Sequence, residues 1–362
     1  MGIAAQSKVG VLVAQLGTPE APTAKGLRPY LKQFLSDTRV IDYPPWVWQP
    51  ILRGAVLSRR PARSARLYSR IWTDEGSPLL VYSNKQIASL QERLGAGCRV
   101  ILGMTYGEPS ISRAVATLEA EGIDRLIVLP MFPQYSSTTT ASIYDAVYAA
   151  AAGKASLFHV NRKRFVPALR FIAAFYDAPD YIESMRQHLS ETVGALPDAP
   201  DKFVITFHGI PDRYIQTGDP YRAQCERTAR LLADAMNWDD SQWVIGFQSR
   251  FGREEWLAPY TEEVLTGLHK QGVQRPLVFS PGFVTDCLET LDELGNEGRE
   301  QFAHGGGDPE KFRLAPCLND HPAWIDVMAD LVRQNAGGWV DHSSALAFNG
   351  ASREDAGVSQ YA

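Results

Sequence analysis

Cysteine is scarce in this chain: 362 residues hold four, Cys98, Cys225, Cys287 and Cys317, and no two form a C-x-x-C pair. That spacing excludes a zinc ribbon and a sequence-local iron–sulfur motif. So few thiols give no disulfide framework, which fits a reducing cytoplasm. Long apolar runs are missing as well. Nowhere do about 18 uninterrupted apolar residues occur, so no segment is expected to span a membrane, and the first nine residues lack an apolar core of signal-peptide length. There is no excess of positive charge: 36 Lys and Arg against 41 Asp and Glu leave -5, which argues against nucleic acid as a partner. The phosphate-cradling G-x-x-x-x-G-K-[ST] and G-x-G-x-x-G patterns are absent, as are G-x-S-x-G and H-E-x-x-H. The Gly305-Gly-Gly307 run reads as a flexible connection rather than a phosphate site.

What is present is an alternation of short β-rich apolar runs with amphipathic helical patterns. Strands are predicted at residues 8–14, 99–102, 126–129, 157–160, 203–207, 243–247, 276–279 and 312–315. Helical spacing links Leu27, Tyr30, Leu31, Phe34 and Leu35, and recurs over 111–121, 181–193 and 254–270. Strand–helix alternation implies parallel sheets with helices on both faces. Eight strands divide more naturally into two four-stranded sheets than one, so the expected fold class is α/β with two similar halves. The break is expected near 167–179, giving units 1–170 and 171–340 and a loose tail, 341–362. A weak internal repeat supports this. Leu16-Gly-Thr-Pro19 and His208-Gly-Ile-Pro211 both close a strand, and Gly122-Ile-Asp-Arg-Leu-Ile-Val-Leu-Pro130 parallels Gly272-Val-Gln-Arg-Pro-Leu-Val-Phe-Ser280. Such strand ends should meet at a cleft, where α/β proteins hold ligands.

Two constellations could carry chemistry. His208 follows the apolar run 203–207, with Gly209 permitting a sharp turn and Pro211 stopping the strand, so its imidazole is offered at a sheet edge. A satisfied structural histidine is the competing reading. Further on, Thr285 or Asp286 can cap a helix. Asp286, Glu289 and Glu293 then share one face at i, i+3 and i+7. That stripe reads either as a solvated helix face or as a path leading protons or metal ions to a site at the helix start. A third segment, Tyr43-Pro-Pro-Trp-Val-Trp-Gln-Pro-Ile-Leu-Arg-Gly-Ala-Val-Leu57 followed by Ser58-Arg-Arg-Pro-Ala-Arg63, reads as an interfacial lip on a bilayer or as a core helix with a basic end.

Thr206-Phe-His-Gly-Ile-Pro-Asp-Arg-Tyr214, Gly218-Asp-Pro-Tyr221 with Gln224-Cys225, Phe247-Gln-Ser-Arg-Phe-Gly252, Trp256-Leu-Ala-Pro-Tyr-Thr261 and Pro281-Gly-Phe-Val-Thr-Asp-Cys-Leu-Glu-Thr290 closely resemble the ferrochelatase signature. Gln15-Leu-Gly-Thr-Pro19, Gly76-Ser-Pro78 and Pro133-Gln-Tyr-Ser136 match in the first half, so the resemblance runs from about Val9 to Leu331. It implies two Rossmann-like domains with protoporphyrin IX in the cleft, His208 and Glu289 at the metal, and Arg60, Tyr68 and Ser77 near the porphyrin and its propionates. Leu16 would face the macrocycle opposite His208, with Tyr135 and Trp256 as further apolar walls. Asp286 and Glu293 would be the proton or metal path. Cys287 stands where some relatives carry a histidine, which removes one candidate proton carrier. The tail after Asp341 has no cysteine, so the resemblance implies no iron–sulfur cluster and no tightly bound cofactor, Fe²⁺ being a substrate.

The chemistry suits those groups. A porphyrin must lose two inner N–H protons as the metal enters. A neutral imidazole can accept a proton or donate a lone pair, and carboxylate oxygen also suits Fe²⁺. Arg60 can pair with a propionate in a bidentate manner. The expectation is therefore a protoporphyrin ferrochelatase, cytoplasmic or peripheral on the inner membrane face, a monomer or weak dimer. Coproporphyrin as substrate, a cobalt or nickel chelatase, and a two-lobed haem carrier without chemistry are the alternatives.

Overall fold

The computed structural model describes residues 9–153, 162–252 and 254–339. The first half contributes strands β1 (Val9–Gly17), β2 (Cys98–Tyr106), β3 (Arg125–Pro130) and β4 (Ala168–Phe171), in the order β2-β1-β3-β4. The second contributes β5 (Lys202–His208), β6 (Trp243–Gln248), β7 (Pro276–Phe279) and β8 (Arg313–Leu314), in the order β6-β5-β7-β8. All six pairings are parallel. The two orders are the same, and the repeat predicted from sequence falls on equivalent elements: β1 matches β5 at the centre, and β3 matches β7 beside it. Central strands are largely apolar because helices cover both faces; Val9, Val11, Leu12 and Ala14 are wholly buried.

Two sequence expectations fail here for physical reasons. The fourth strand of the first sheet is β4, inside the stretch read as a break; Ala-Leu-Arg-Phe is a short, partly exposed edge without an apolar run. The strand expected at 157–160 lies outside the described residues, as does the tail. The helix expected at 254–270 runs only from Thr261 to Leu268. Pro259 lacks an N–H and biases Ala258 away from helical geometry. Residues 254–260 instead carry two short bridges, Pro211 with Trp256 and Phe247 with Tyr260.

The halves share one apolar core. Val11, Val13, Ile127 and Leu129 of the first sheet join Ile205, Phe207, Leu277 and Phe279 of the second through Tyr181, Met185 and Trp324. Phe175, Tyr181 and Trp324 pack with ring centroids 5.4–5.8 Å apart. The helix Pro322–Asn335 follows the second sheet yet packs on the helix Pro78–Leu94 of the first half. The glycine run is a packed turn rather than a loose connection: a Cβ on Gly307 would lie 2.3 Å from the Phe302 ring.

Candidate active site

β1 and β5 end at equivalent points beside the place where each strand order reverses, the usual ligand position in such sheets. Gly17 closes β1 with φ +121°, and a Cβ there would lie 1.8 Å from the Tyr106 carbonyl oxygen, so the turn requires glycine. This brings Leu16 into the apolar cluster that also holds Tyr30, Tyr68, Leu288 and Leu291. At the end of β5, His208 is half-buried, with its ring 6.4 Å from Trp256 and 6.5 Å from Phe283. Its Nδ1 lies 2.6 Å from the Gly209 carbonyl oxygen. A carbonyl can only accept, so Nδ1 carries a proton, and in the neutral ring Nε2 presents a bare lone pair. That nitrogen can take a proton or bind a metal ion.

The acidic stripe has a different geometry from the α-helix expected. Residues Glu289–Glu297 form a π-helix, and the Gly298 N–H bonds the Glu293 carbonyl five residues back. Asp286 precedes this helix, so the i, i+3, i+7 face does not form. Its carboxylate is 4% exposed and accepts from Thr290 Oγ1 at 2.9 Å, Asn319 Nδ2 at 2.7 Å and the Cys317 N–H at 3.3 Å. It is locked into the protein, whereas Glu289 and Glu293 are partly open. Burial raises the Glu293 pKa, the Ser249 hydroxyl at 2.6 Å opposes that, and the charges of Glu289 and Glu297 push it up further. Glu297 is raised too, by burial and by Asp292. Glu289, Glu293 and Glu297 thus follow one another at four-residue intervals, which adds Glu297 to the candidate row. That spacing was the available signal. Cys287 lies beside Glu289, and burial followed by that charge raises its thiol far above the usual range, keeping it neutral.

The remaining predicted residues divide. Arg60 stacks over the Phe251 ring of the second half at 5.5 Å, and burial lowers its pKa. Tyr68 is buried beside Tyr30, and burial raises both phenols, with Glu289 contributing in the same direction. In the sequence, Tyr30 shows only its helical spacing. Ser77 is buried with its hydroxyl 2.7 Å from Thr18 Oγ1. Tyr135 is half-buried, and its N–H donates to Gln224 Oε1 at 2.7 Å. Here the quoted motifs meet: the Ser137 N–H donates to Asp219 at 2.7 Å, and Gln134 Nε2 donates to Thr228 at 2.9 Å. These bonds stitch the two halves together. Arg213 pairs with Asp42, which directly precedes the 43–63 segment, and with Glu254.

In the lip itself, Leu52 and Leu57 are buried, and Trp48 donates its Nε1–H to the Leu35 carbonyl at 2.6 Å. The outward apolar part of the 43–57 segment is therefore smaller than its composition suggests. Trp46, at 81% exposed, stands out with Tyr43 and Ile51.

The chain matches the family model described as ferrochelatase over residues 8–336. It is 44% identical to ferrochelatase 1 of Shewanella oneidensis over 335 residues, covering 91% of this chain and 97% of that one. It is 45% identical to the ferrochelatase of Chromobacterium violaceum, covering 92% and 90%. Among solved structures, SirB from Bacillus subtilis with Fe³⁺ superposes with a TM-score of 0.53 at 12% identity, covering 91% of this chain and 96% of that one, a likeness of fold alone. With a repeated chelatase-type architecture, a lone-pair imidazole at one strand end and a row of carboxylates beside it, the chain belongs to the ferrochelatase family, the porphyrin metal chelatases of haem synthesis.

Proposed function

We propose that the chain inserts ferrous iron into protoporphyrin IX to give protohaem, with His208 and Glu289 at the metal and the two inner N–H protons leaving through the carboxylates of Glu289, Glu293 and Glu297. The observation that carries the reading is the His208 ring, whose bonded Nδ1 leaves Nε2 free, and whose partner across the sheet, Gln248, donates to the Glu289 carbonyl. Glu293, with a pKa raised by burial, is better suited to hold a proton near neutral pH than an open carboxylate is. Asp286 serves the site indirectly in this reading, by anchoring the start of that helix. Leu16, Tyr135 and Trp256 supply apolar walls, and Arg60 supplies one guanidinium for a propionate.

Protoporphyrin is preferred over coproporphyrin in this reading because the Leu16 position and the His208-Gly-Ile-Pro211 and Asp286-Cys-Leu-Glu289 motifs resemble the protoporphyrin branch. Steady-state metallation by Fe²⁺ should give a kcat/KM at least about tenfold higher for protoporphyrin, the scale of discrimination that a few pocket contacts provide. Equal values, or a preference for coproporphyrin, would reverse the assignment.

Membrane contact is part of the proposal. No helix among the described residues is long and apolar enough to cross a bilayer. Exposed Trp46, Tyr43 and Ile51 stand next to exposed Arg53, Arg59 and Arg63, a mixture that suits an anionic lipid surface. Each basic residue there contributes about 1 kcal/mol, screened by salt. The protein should pellet with anionic liposomes at low salt and be released by high salt, and Trp46→Ser/Ile51→Ser should remove most binding. Trp48 is left intact in this variant because it is packed inside. Negligible pelleting of both proteins would return the segment to a purely structural role. The proposal includes no iron–sulfur cluster: the four cysteines are buried, and burial raises their thiol pKa values, which makes them poor thiolate ligands.

A further inference from the structure

Three non-glycine residues adopt positive φ among the described residues: Asn237, Asn319 and Ser249. Asparagine tolerates the left-handed region comparatively well, but serine gains little there. Ser249, at φ +68°, is therefore the unusual one. It directly follows β6, where Gln248 pairs with His208 across the sheet. The neighbouring contacts hold this corner firmly. The Gly209 N–H donates to the Gln248 carbonyl at 2.8 Å, and Gln248 Nε2 donates to the Glu289 carbonyl at 3.2 Å. Turning left-handed at the strand end delivers the Ser249 hydroxyl 2.6 Å from Glu293 Oε2. The other donor to that oxygen, Gln248 Nε2, is 3.5 Å away and poorly placed.

We propose that Ser249 is a positioning residue for the reaction: its hydroxyl, aimed by a left-handed backbone, fixes the Glu293 carboxylate in line with His208 and Glu289. Strain retained at one residue beside a reactive group is expected when the aimed side chain matters. The inference rests on the reading that Glu293 lies on the route of protons or iron. A short bond from a hydroxyl to a carboxylate is charge-assisted and stronger than a neutral one, so its loss frees Glu293 to rotate toward solvent.

Two substitutions separate hydroxyl from backbone. Ser249→Ala removes the hydroxyl and keeps the strain, whereas Ser249→Gly removes both and adopts φ +68° freely. Steady-state metallation with Fe²⁺ and protoporphyrin, and porphyrin affinity from fluorescence quenching, are measured for both, for Glu293→Gln, and for Ser249→Gly/Glu293→Gln. Both serine variants should lose about tenfold in kcat/KM for Fe²⁺, the scale of one hydrogen bond to a charged group. Porphyrin affinity should stay within about twofold, and the double variant should be no worse than Glu293→Gln alone. Near wild-type kinetics for Ser249→Gly with impaired Glu293→Gln would overturn this inference and leave the role of Glu293 standing. Additive losses in the double variant would also overturn it, because Ser249 would then act elsewhere. Wild-type kinetics for Glu293→Gln would remove Glu293 from the route, and the positioning role with it.

Discussion

His208→Ala is expected to slow metallation by about 10²–10⁴-fold, the range for removing a general base, while protoporphyrin still binds. The imidazole is held by its Nδ1 bond to the Gly209 carbonyl, so Nε2 has no protein partner to give up before it accepts a proton or meets iron. Alanine removes both functions. The fold should survive, because β5 is fixed by its pairing with β6 and β7 and by the buried Phe203, Val204, Ile205 and Phe207, not by this half-buried ring. Single-turnover absorbance changes give the rate per bound complex, and fluorescence quenching gives the affinity. A normal rate with weakened affinity would make His208 a packing residue against Trp256 and Phe283.

Glu289→Gln is expected to produce the second large loss, about 10²–10³-fold in metallation rate, with unchanged porphyrin affinity. The amide preserves shape and removes one negative charge at the start of the π-helix. Tyr30, Tyr68 and Cys287 surround that carboxylate, and all three are groups that burial keeps neutral. None of them can replace it as a proton acceptor or as an anionic partner for Fe²⁺. Glu293 is the nearest substitute, and it is tied to Ser249. A rate within about twofold of wild type would show that the carboxylate is dispensable and that His208 works alone.

Much of the framework could be read before any coordinates. Apolar runs with short helical intervals sufficed for seven of the strands, and the paired Gly–Pro strand ends identified Leu16 and His208 as equivalent positions. β4 escaped because a four-residue edge with an arginine has no pattern of its own. The π-helix escaped for a different reason. Its register depends on packing against β8 and the lip helix Leu57–Ile71, and Asp292 within it is buried against Arg70 at 3.3 Å. Local spacing therefore suggested a face for Asp286 that tertiary partners deny. Asn319 and the Cys317 backbone, which hold Asp286, are more than 30 positions away, out of reach of any local rule. Ser249 lies in the Phe247–Gly252 motif, yet nothing in its sequence neighbours reveals a left-handed backbone. In the lip, composition identified an aromatic and basic segment, but only packing separates the inward Leu52 and Leu57 from the outward Trp46.

The most direct measurement is an anaerobic stopped-flow reaction of the purified protein, loaded with protoporphyrin IX and mixed with Fe²⁺ in weakly buffered dye solution. Insertion should convert the free-base spectrum to that of protohaem far faster than the protein-free control, with two protons released per porphyrin in step with the spectral change. A stable porphyrin complex whose spectrum changes no faster than the control, with no proton release, would contradict metal insertion and leave a binding protein without chemistry.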